Sequence, residues 1–230
     1  MRWIHIPIIF AGLAILSLPV RSRSLGDPKP KAVPHRIVRV TKNDVRLAAE
    51  ATVAINPTNP DHLVGASQQG ATNVAYASTD GGKSWKTTPF SSPRGRIQGD
   101  DVVLFRHDGL AVHACISFMG IRVARPAQAA NGIFIRTSKD GIVWNEPVAV
   151  IDHINSVEPF EDKPWIGIDN NKDSPHRGNI YVAWTKFDVY GSKKPEHKSH
   201  IFFSRSKDAG KSFSVPQRIS QAPGDCEDHS

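Results

Sequence analysis

The sequence predicts an all-β protein, an incomplete β-propeller of about three four-stranded blades, and three observations predict it. A short turn pattern occurs three times, as Ser78-Thr79-Asp80-Gly81-Gly82-Lys83-Ser84-Trp85, Ser138-Lys139-Asp140-Gly141-Ile142-Val143-Trp144 and Ser206-Lys207-Asp208-Ala209-Gly210-Lys211-Ser212-Phe213. The copies recur every 60 to 70 residues or so, roughly the spacing of a repeat architecture. Short apolar runs of period two surround each copy, and past the first twenty residues no long segment carries the 3.6 period of a helix.

The chain opens on Met1-Arg2-Trp3, an apolar run from Ile6 to Val20, and then Arg21-Ser22-Arg23-Ser24. Residues 1–23 therefore read as a signal peptide or N-terminal anchor, and the run is short for a membrane span. Export to a secreted, periplasmic or cell-surface location follows, with no membrane span in the mature form. Residues 24–34, with Asp27-Pro28-Lys29-Pro30-Lys31, read as an extended linker, and 35–230 as the partial propeller. Arg36-Ile37-Val38-Arg39-Val40 is expected to form an extra strand.

The blades are expected at about 43–92, 99–151 and 161–220. Each opens on a first strand, Glu50 to Ile55, Asp100 to Phe105 and Lys163 to Ile168 in turn. Turn residues follow (Asn56 to Pro60, His107-Asp108-Gly109, Asp169 to Gly178), and then second strands at Leu63 to Ala66, Ala111 to Ile116 and Ile180 to Trp184. The repeated pattern then closes the third strand as a hairpin turn. Its Asp accepts backbone N–H bonds, its Gly supplies positive φ, its Ser ties the ends, and its Trp or Phe re-enters the sheet.

The pattern Ser-x-Asp-x-Gly-x-x-Trp/Phe resembles the Asp box, or bacterial neuraminidase repeat, of sialidase-like propellers. Its residues are Ser78, Asp80, Gly82 and Trp85, then Ser138, Asp140, Gly141 and Trp144, then Ser206, Asp208, Gly210 and Phe213. The second copy lacks the residue between Asp140 and Gly141. In that family the box is structural and lies away from the catalytic centre. The resemblance implies a glycan-directed exo-sialidase-like glycoside hydrolase, with an arginine triad for the substrate carboxylate, an Asp acid/base and a Tyr nucleophile activated by a Glu. It also implies a six-bladed ring, so a chain with about three blades is expected to be part of one and inactive alone. The alternative is a non-catalytic glycan- or protein-binding scaffold.

Site candidates follow from topology. Arg36 occupies the place of the family's first arginine but lacks the following proline, and the remaining catalytic arginines, Tyr and Glu match no position. Acidic residues gather where first strands begin: Glu50, Asp100 with Asp101, and Glu161 with Asp162. First strands line a propeller's channel, so these carboxylates are candidates for acid/base work, with Arg94, Arg96, Arg122 and Arg125 in loops of the same face. Against this stands a structural reading in which each satisfies a neighbouring blade's backbone or pairs with lysine, as Lys163 beside Asp162 suggests. Tyr76, Tyr181 and Tyr190 read as packing residues.

The formal charge of +7 is scattered, with one cluster at Lys193 to Lys198 that reads as a solvated loop. No aromatic interleaving suggests nucleic acid, so the expected partner is a glycan or glycoprotein, with self-association through open blade edges. His197 and His200 lack a third ligand, and neither a metal nor a cofactor is expected. The two cysteines, Cys115 and Cys226, have no spacing that brings them together.

Overall fold

The computed structural model describes residues 36–41, 48–121 and 129–227. The expected leader and linker, together with Arg122 and Arg125, lie outside the described residues. The chain divides into two units, Met1–Arg36 and Ile37–Ser230; of the first, Arg36 alone is described, and it is exposed.

The described residues of the second unit form three antiparallel four-stranded sheets. The first holds β1 (Ala48–Asn56), β2 (Asn59–Gln69), β3 (Thr72–Ser78) and β4 (Lys86–Pro89). The second holds β5 (Ile97–Phe105), β6 (Ala111–Met119), β7 (Ala130–Ser138) and β8 (Val148–Ile154). The third holds β9 (Phe160–Ile168), β10 (Ile180–Phe187), β11 (Ser199–Ser206) and the two-residue β12 (Gln217–Arg218). Each sheet is an up-and-down meander in chain order, which is a propeller blade. The first strands sit side by side, β1 next to β5 and β5 next to β9. Residues 36–40 form no strand, contrary to the expectation for that segment.

The core is the set of faces between blades. Val64, Ala66, Ala75 and Phe90 of the first blade meet Val103, Phe105 and Ala111 of the second. Ile133, Ile135 and Val150 of the second meet Ile166, Val182 and Trp184 of the third. The reason is strand alternation: on β1, Ala54 packs inward while Val53 and Ile55 stay 63% and 60% exposed on the far face. On β9, Ile166 is buried and the adjacent Trp165 is 70% exposed.

The three Ser-x-Asp turns close the β3–β4, β7–β8 and β11–β12 hairpins and carry equivalent bonds. Asp80 accepts from the N–H groups of Lys83 and Ser84 at 2.9 Å and from the Ser84 hydroxyl at 2.6 Å. Asp208 does the same with Lys211 and Ser212. In the shorter second turn Asp140 accepts from Ile142 and Val143 at 2.8 Å, so one residue fewer still closes the turn. The Ser hydroxyls accept from the Gly82, Gly141 and Gly210 N–H groups at 2.9, 2.8 and 2.8 Å. Trp85 and Trp144 each donate their indole N–H to a turn carbonyl at 3.0 Å. Phe213 packs against the core between the second and third blades instead.

Turns also link blades. Gly141, at φ 72°, lies over Val64 and Ala77 of the first blade, and Gly210, at φ 84°, lies over Thr137 and Ile135 of the second. Beside Gly141, the Asp140 carbonyl accepts from His62 Nε2 at 3.2 Å, while His62 Nδ1 faces Asn56 Nδ2 at 3.0 Å. Cys115 and Cys226 are both buried and both free thiols.

Candidate functional site at the head of the first strands

The face opposite the Ser-x-Asp turns carries the starts of β1, β5 and β9, and each start contains the same irregularity. Register shifts fall between Ala49 and Thr52, between Gly99 and Val102, and opposite Ala183 to Thr185 at Asp162 to Trp165. These are β-bulges, and the bulged residues Glu50, Asp100 and Lys163 all have positive φ, at 53°, 54° and 47°. A non-glycine residue there costs on the order of 1–3 kcal/mol, and such outliers cluster at functional sites. Three at one repeat position form a pattern.

The bulges turn these side chains towards one another. Glu50 Oε2 accepts from the Asp100 backbone N–H at 3.0 Å, and Asp100 Oδ2 accepts from the Lys163 backbone N–H at 3.2 Å. Each side chain thus caps the equivalent residue of the next blade. Lys163 offers no acceptor to continue the series, and its ammonium bends back to Glu50 Oε1 at 2.9 Å and Asp100 Oδ1 at 3.1 Å.

Electrostatics follow from the crowding. The neighbouring Asp100 carboxyl, and then burial, raise the Glu50 carboxyl above its ordinary value, with Lys163 pulling the other way. Burial is the leading cause at Asp100, followed by a bond to Glu50 that lowers its value and the Asp162 carboxyl that raises it; the net shift is upward. Burial alone would lower the Lys163 ammonium, but its bonds to Glu50 and Asp100 outweigh that and raise it.

Glu50, Asp100 and Lys163 open onto a cleft of about 730 Å³, large enough for a small ligand. Asp162, Asp225 and Glu227 add carboxylates to its lining, and Phe118, Phe160, Phe187 and Tyr190 form an aromatic side. The chain's last described residues reach this cleft because Gly224 bridges to Ser199 and Cys226 to Ser192. Residues 224–227 thus lie against the β10–β11 connection.

Two of the expected carboxylates lie elsewhere. Asp101 is buried between the first two blades, where Oδ1 accepts from Asn73 Nδ2 at 2.7 Å and faces His113 Nε2 at 2.5 Å. Burial holds the His113 imidazole below its ordinary value, against the pull of Asp101. His113 stacks on Phe90 at 4.1 Å, and the buried Arg136 guanidinium lies 4.6 Å from the same ring. Glu161 is also buried, accepting from Trp184 Nε1 at 2.5 Å and paired with His153 Nε2 at 2.8 Å. Both are inter-strand and inter-blade struts. The one-residue offset decides this: in a bulged strand Asp100 faces the cleft and Asp101 the seam.

The expected arginines divide as well. Arg94 and Arg96 both grip Asp152 at the end of β8, at 2.5 and 2.7 Å. Arg36 is exposed and outside the strands. Tyr76 is buried and bonded to Ser67 at 2.9 Å, Tyr181 stacks on Phe203, and Tyr190, read from sequence as a packing residue, lines the cleft. His197 and His200 pair separately, with Ser192 and Ser220.

Sequence reasoning missed the aromatic side, whose residues come from three strands and one loop. It also missed Asn73 and Asn131, two buried third-strand asparagines. Asn73 Nδ2 reaches the Gly99 carbonyl and Asp101, while Asn131 bonds the Glu161 N–H and the Ser156 and Pro159 carbonyls. Each pins the entry of the following first strand, and an Asn shortly before the turn Ser in two repeats was the signal available.

No family model matches the sequence, and no curated protein does. Solved structures do. An α-L-arabinanase from Penicillium chrysogenum complexed with arabinobiose is similar with a TM-score of 0.54 at 14% identity, over 78% of this chain and 52% of that one. An α-L-arabinofuranosidase from Fusarium graminearum in complex with an iminosugar inhibitor is similar with a TM-score of 0.50 at 12% identity, over 74% of this chain and 50% of that one. The three-bladed fold is therefore shared with these proteins, and the chain spans about half the length of the structures it matches.

Proposed function

We propose that this chain is a carbohydrate-directed propeller of the glycoside hydrolase type, with Glu50, Asp100 and Lys163 at its reactive centre. The single observation that carries the reading is the meeting of three equivalent, conformationally strained bulges in one concave cleft. In the hydrolytic form, Glu50 is the proton donor to the glycosidic oxygen, because its carboxyl is raised and it is the more exposed of the pair. Asp100 is the carboxylate that shares the proton or directs water, and Lys163 fixes the spacing of both.

The sialidase form of this reading needs guanidinium groups facing a substrate carboxylate. Among the described residues no arginine lines the cleft, and Arg94 and Arg96 are held by Asp152. The local chemistry favours a sugar without a carboxylate.

A second reading, binding without turnover, is favoured by the Lys163 ammonium, which engages both carboxylates at once. One experiment separates the two. Purified chain is incubated with a panel of aryl glycosides and polysaccharides, beside Glu50→Gln and Asp100→Asn. Turnover that falls about 10²–10⁴-fold in both variants supports hydrolysis; sugar binding with no turnover supports the scaffold. Turnover indifferent to both substitutions overturns the assignment of this centre.

Export and self-association belong to the same proposal. The apolar run between Ile6 and Val20 supports export, tested by fractionating cells from medium. The exposed Val53, Ile55 and Trp165 on the outer blade faces support association. Among the described residues no helix is long and apolar enough to cross a membrane.

A further inference from the structure

We infer that the aromatic side of the cleft is a stacking subsite for the C–H face of a sugar ring, and that the carboxylates beside it restrict that sugar to one without acidic groups. This rests on the carbohydrate reading above and adds to it a place, an orientation and a substrate class.

The four rings form a continuous corner. Phe118 meets Phe160 edge-on at 5.8 Å, Phe160 meets Tyr190 tilted at 5.0 Å, and Tyr190 meets Phe187 edge-on at 5.2 Å. Phe160 is 2% exposed and serves as the backing, whereas Phe187 and Tyr190 are half-buried. Edge-on and tilted packing locks the rings at low entropic cost to a ligand, because their rotamers are fixed before it arrives. A rigid, partly exposed aromatic surface in a cleft suits a ligand that is apolar on one face and rimmed with hydroxyls.

The rim chemistry matches those hydroxyls. Glu50, Asp100, Asp162, Asp225 and Glu227 are all acceptors when ionised, and they share the lining with the aromatic corner. Sugar hydroxyls donate; a carboxylate on the sugar does not. Lys163 is the one cationic side chain of the lining among the described residues, and two carboxylates already engage it. A chain whose formal charge is +7 therefore presents an acidic cleft, and an acidic sugar entering it meets like charge with no free cation among the described lining residues to receive it.

The test is binding to the full 230-residue chain, followed by ligand-observed NMR and calorimetry. The neutral probes are arabinobiose, cellobiose and lactose; the acidic probes are sialyllactose and digalacturonate. At least one neutral probe is expected to bind, with Phe187→Ala and Tyr190→Ala each weakening it about tenfold and Tyr190→Phe leaving it within about twofold. Acidic probes are expected not to bind until Asp225→Asn and Glu227→Gln are combined. Circular dichroism confirms that each variant is folded. Neutral binding unchanged in both alanine variants overturns the stacking subsite and leaves the carbohydrate reading standing. Preference for an acidic probe overturns the restriction, and a folded chain that binds neither panel overturns the carbohydrate reading together with the subsite built on it.

Discussion

The Asp100 backbone N–H donates to Glu50 Oε2 at 3.0 Å, so a side chain of the first blade caps the backbone of the second at the point where both chains bulge. The same bond recurs between Asp100 and the Lys163 N–H at 3.2 Å. The inter-blade link and the proposed reactive centre are thus one structure, so a substitution there is expected to move stability and any activity together.

Stability is expected to show the strain of holding two carboxyls there. A carboxyl raised in the folded state loses its proton first in the unfolded chain, so it costs stability at pH values above its folded pKa. Asp100→Asn is therefore expected to melt higher than the parent at pH 7, with the advantage fading as pH falls into the carboxylate range. Lys163→Met goes the other way. A lysine raised in the folded state contributes stability that is fully present at pH 7 and lost only as pH climbs through its folded value, so this variant is expected to melt lower. Equal melting temperatures for all three proteins at pH 7 contradict the assignment of the centre's charges.

Adjacent carboxylates should behave as opposites. Asp101→Ala leaves Asn73 and His113 buried without their acceptor, at about 1–3 kcal/mol for each orphaned group, and is expected to lower the melting temperature by several degrees. Calorimetry of Asp100→Asn beside Asp101→Ala distinguishes a site residue from a strut, and a strongly destabilised Asp100→Asn would reverse the two roles.

Acid unfolding is expected to be governed by the turns. The Ser212 hydroxyl, then Ser206 and the turn's backbone, hold Asp208 down to about 2, and Ser84 leads the bonds that depress Asp80. A depressed carboxyl contributes stability above its unfolded value, and that contribution is lost as pH falls through the folded one. The window is pH 4 down to about 2. Asp208→Asn, followed by circular dichroism against pH, should flatten this limb; an unchanged acid limb removes the turn from the account.

Gly141→Ala tests the contact between the second turn and the first blade. A Cβ there would stand 2.4 Å from Val64 Cγ2 on a residue held at φ 72°. The expected cost is about 1–3 kcal/mol, a drop of several degrees in melting temperature. Gly70→Ala, at φ 65° with open space around it, isolates the backbone part and should cost less.

Trp165→Lys tests the outer face of the third blade. Trp165 is 70% exposed on the β9 face opposite the core. Light scattering at increasing concentration is expected to show less association in the variant than in the parent. Identical concentration dependence, or a parent that stays monomeric, would overturn the assignment of this face to self-association.

Much of this was legible in the residues alone. Period-two runs gave the strands, and the Asp80, Asp140 and Asp208 turns gave the repeat, because a tight turn needs glycine, a short acceptor and a hydroxyl at fixed offsets. Superposing the repeats even placed Glu50, Asp100 and Lys163 at one position, since a repeat aligns what its geometry makes equivalent. What only the tertiary structure decided was direction. A β-bulge at a non-glycine residue leaves no mark in composition, yet it turns Asp100 to the cleft and Asp101 to the seam, and it recruits Lys163 in place of the neighbouring Glu161. The aromatic corner was equally hidden, because Phe118, Phe160, Phe187 and Tyr190 come together through the packing of one blade on the next, a long-range contact that no local pattern encodes.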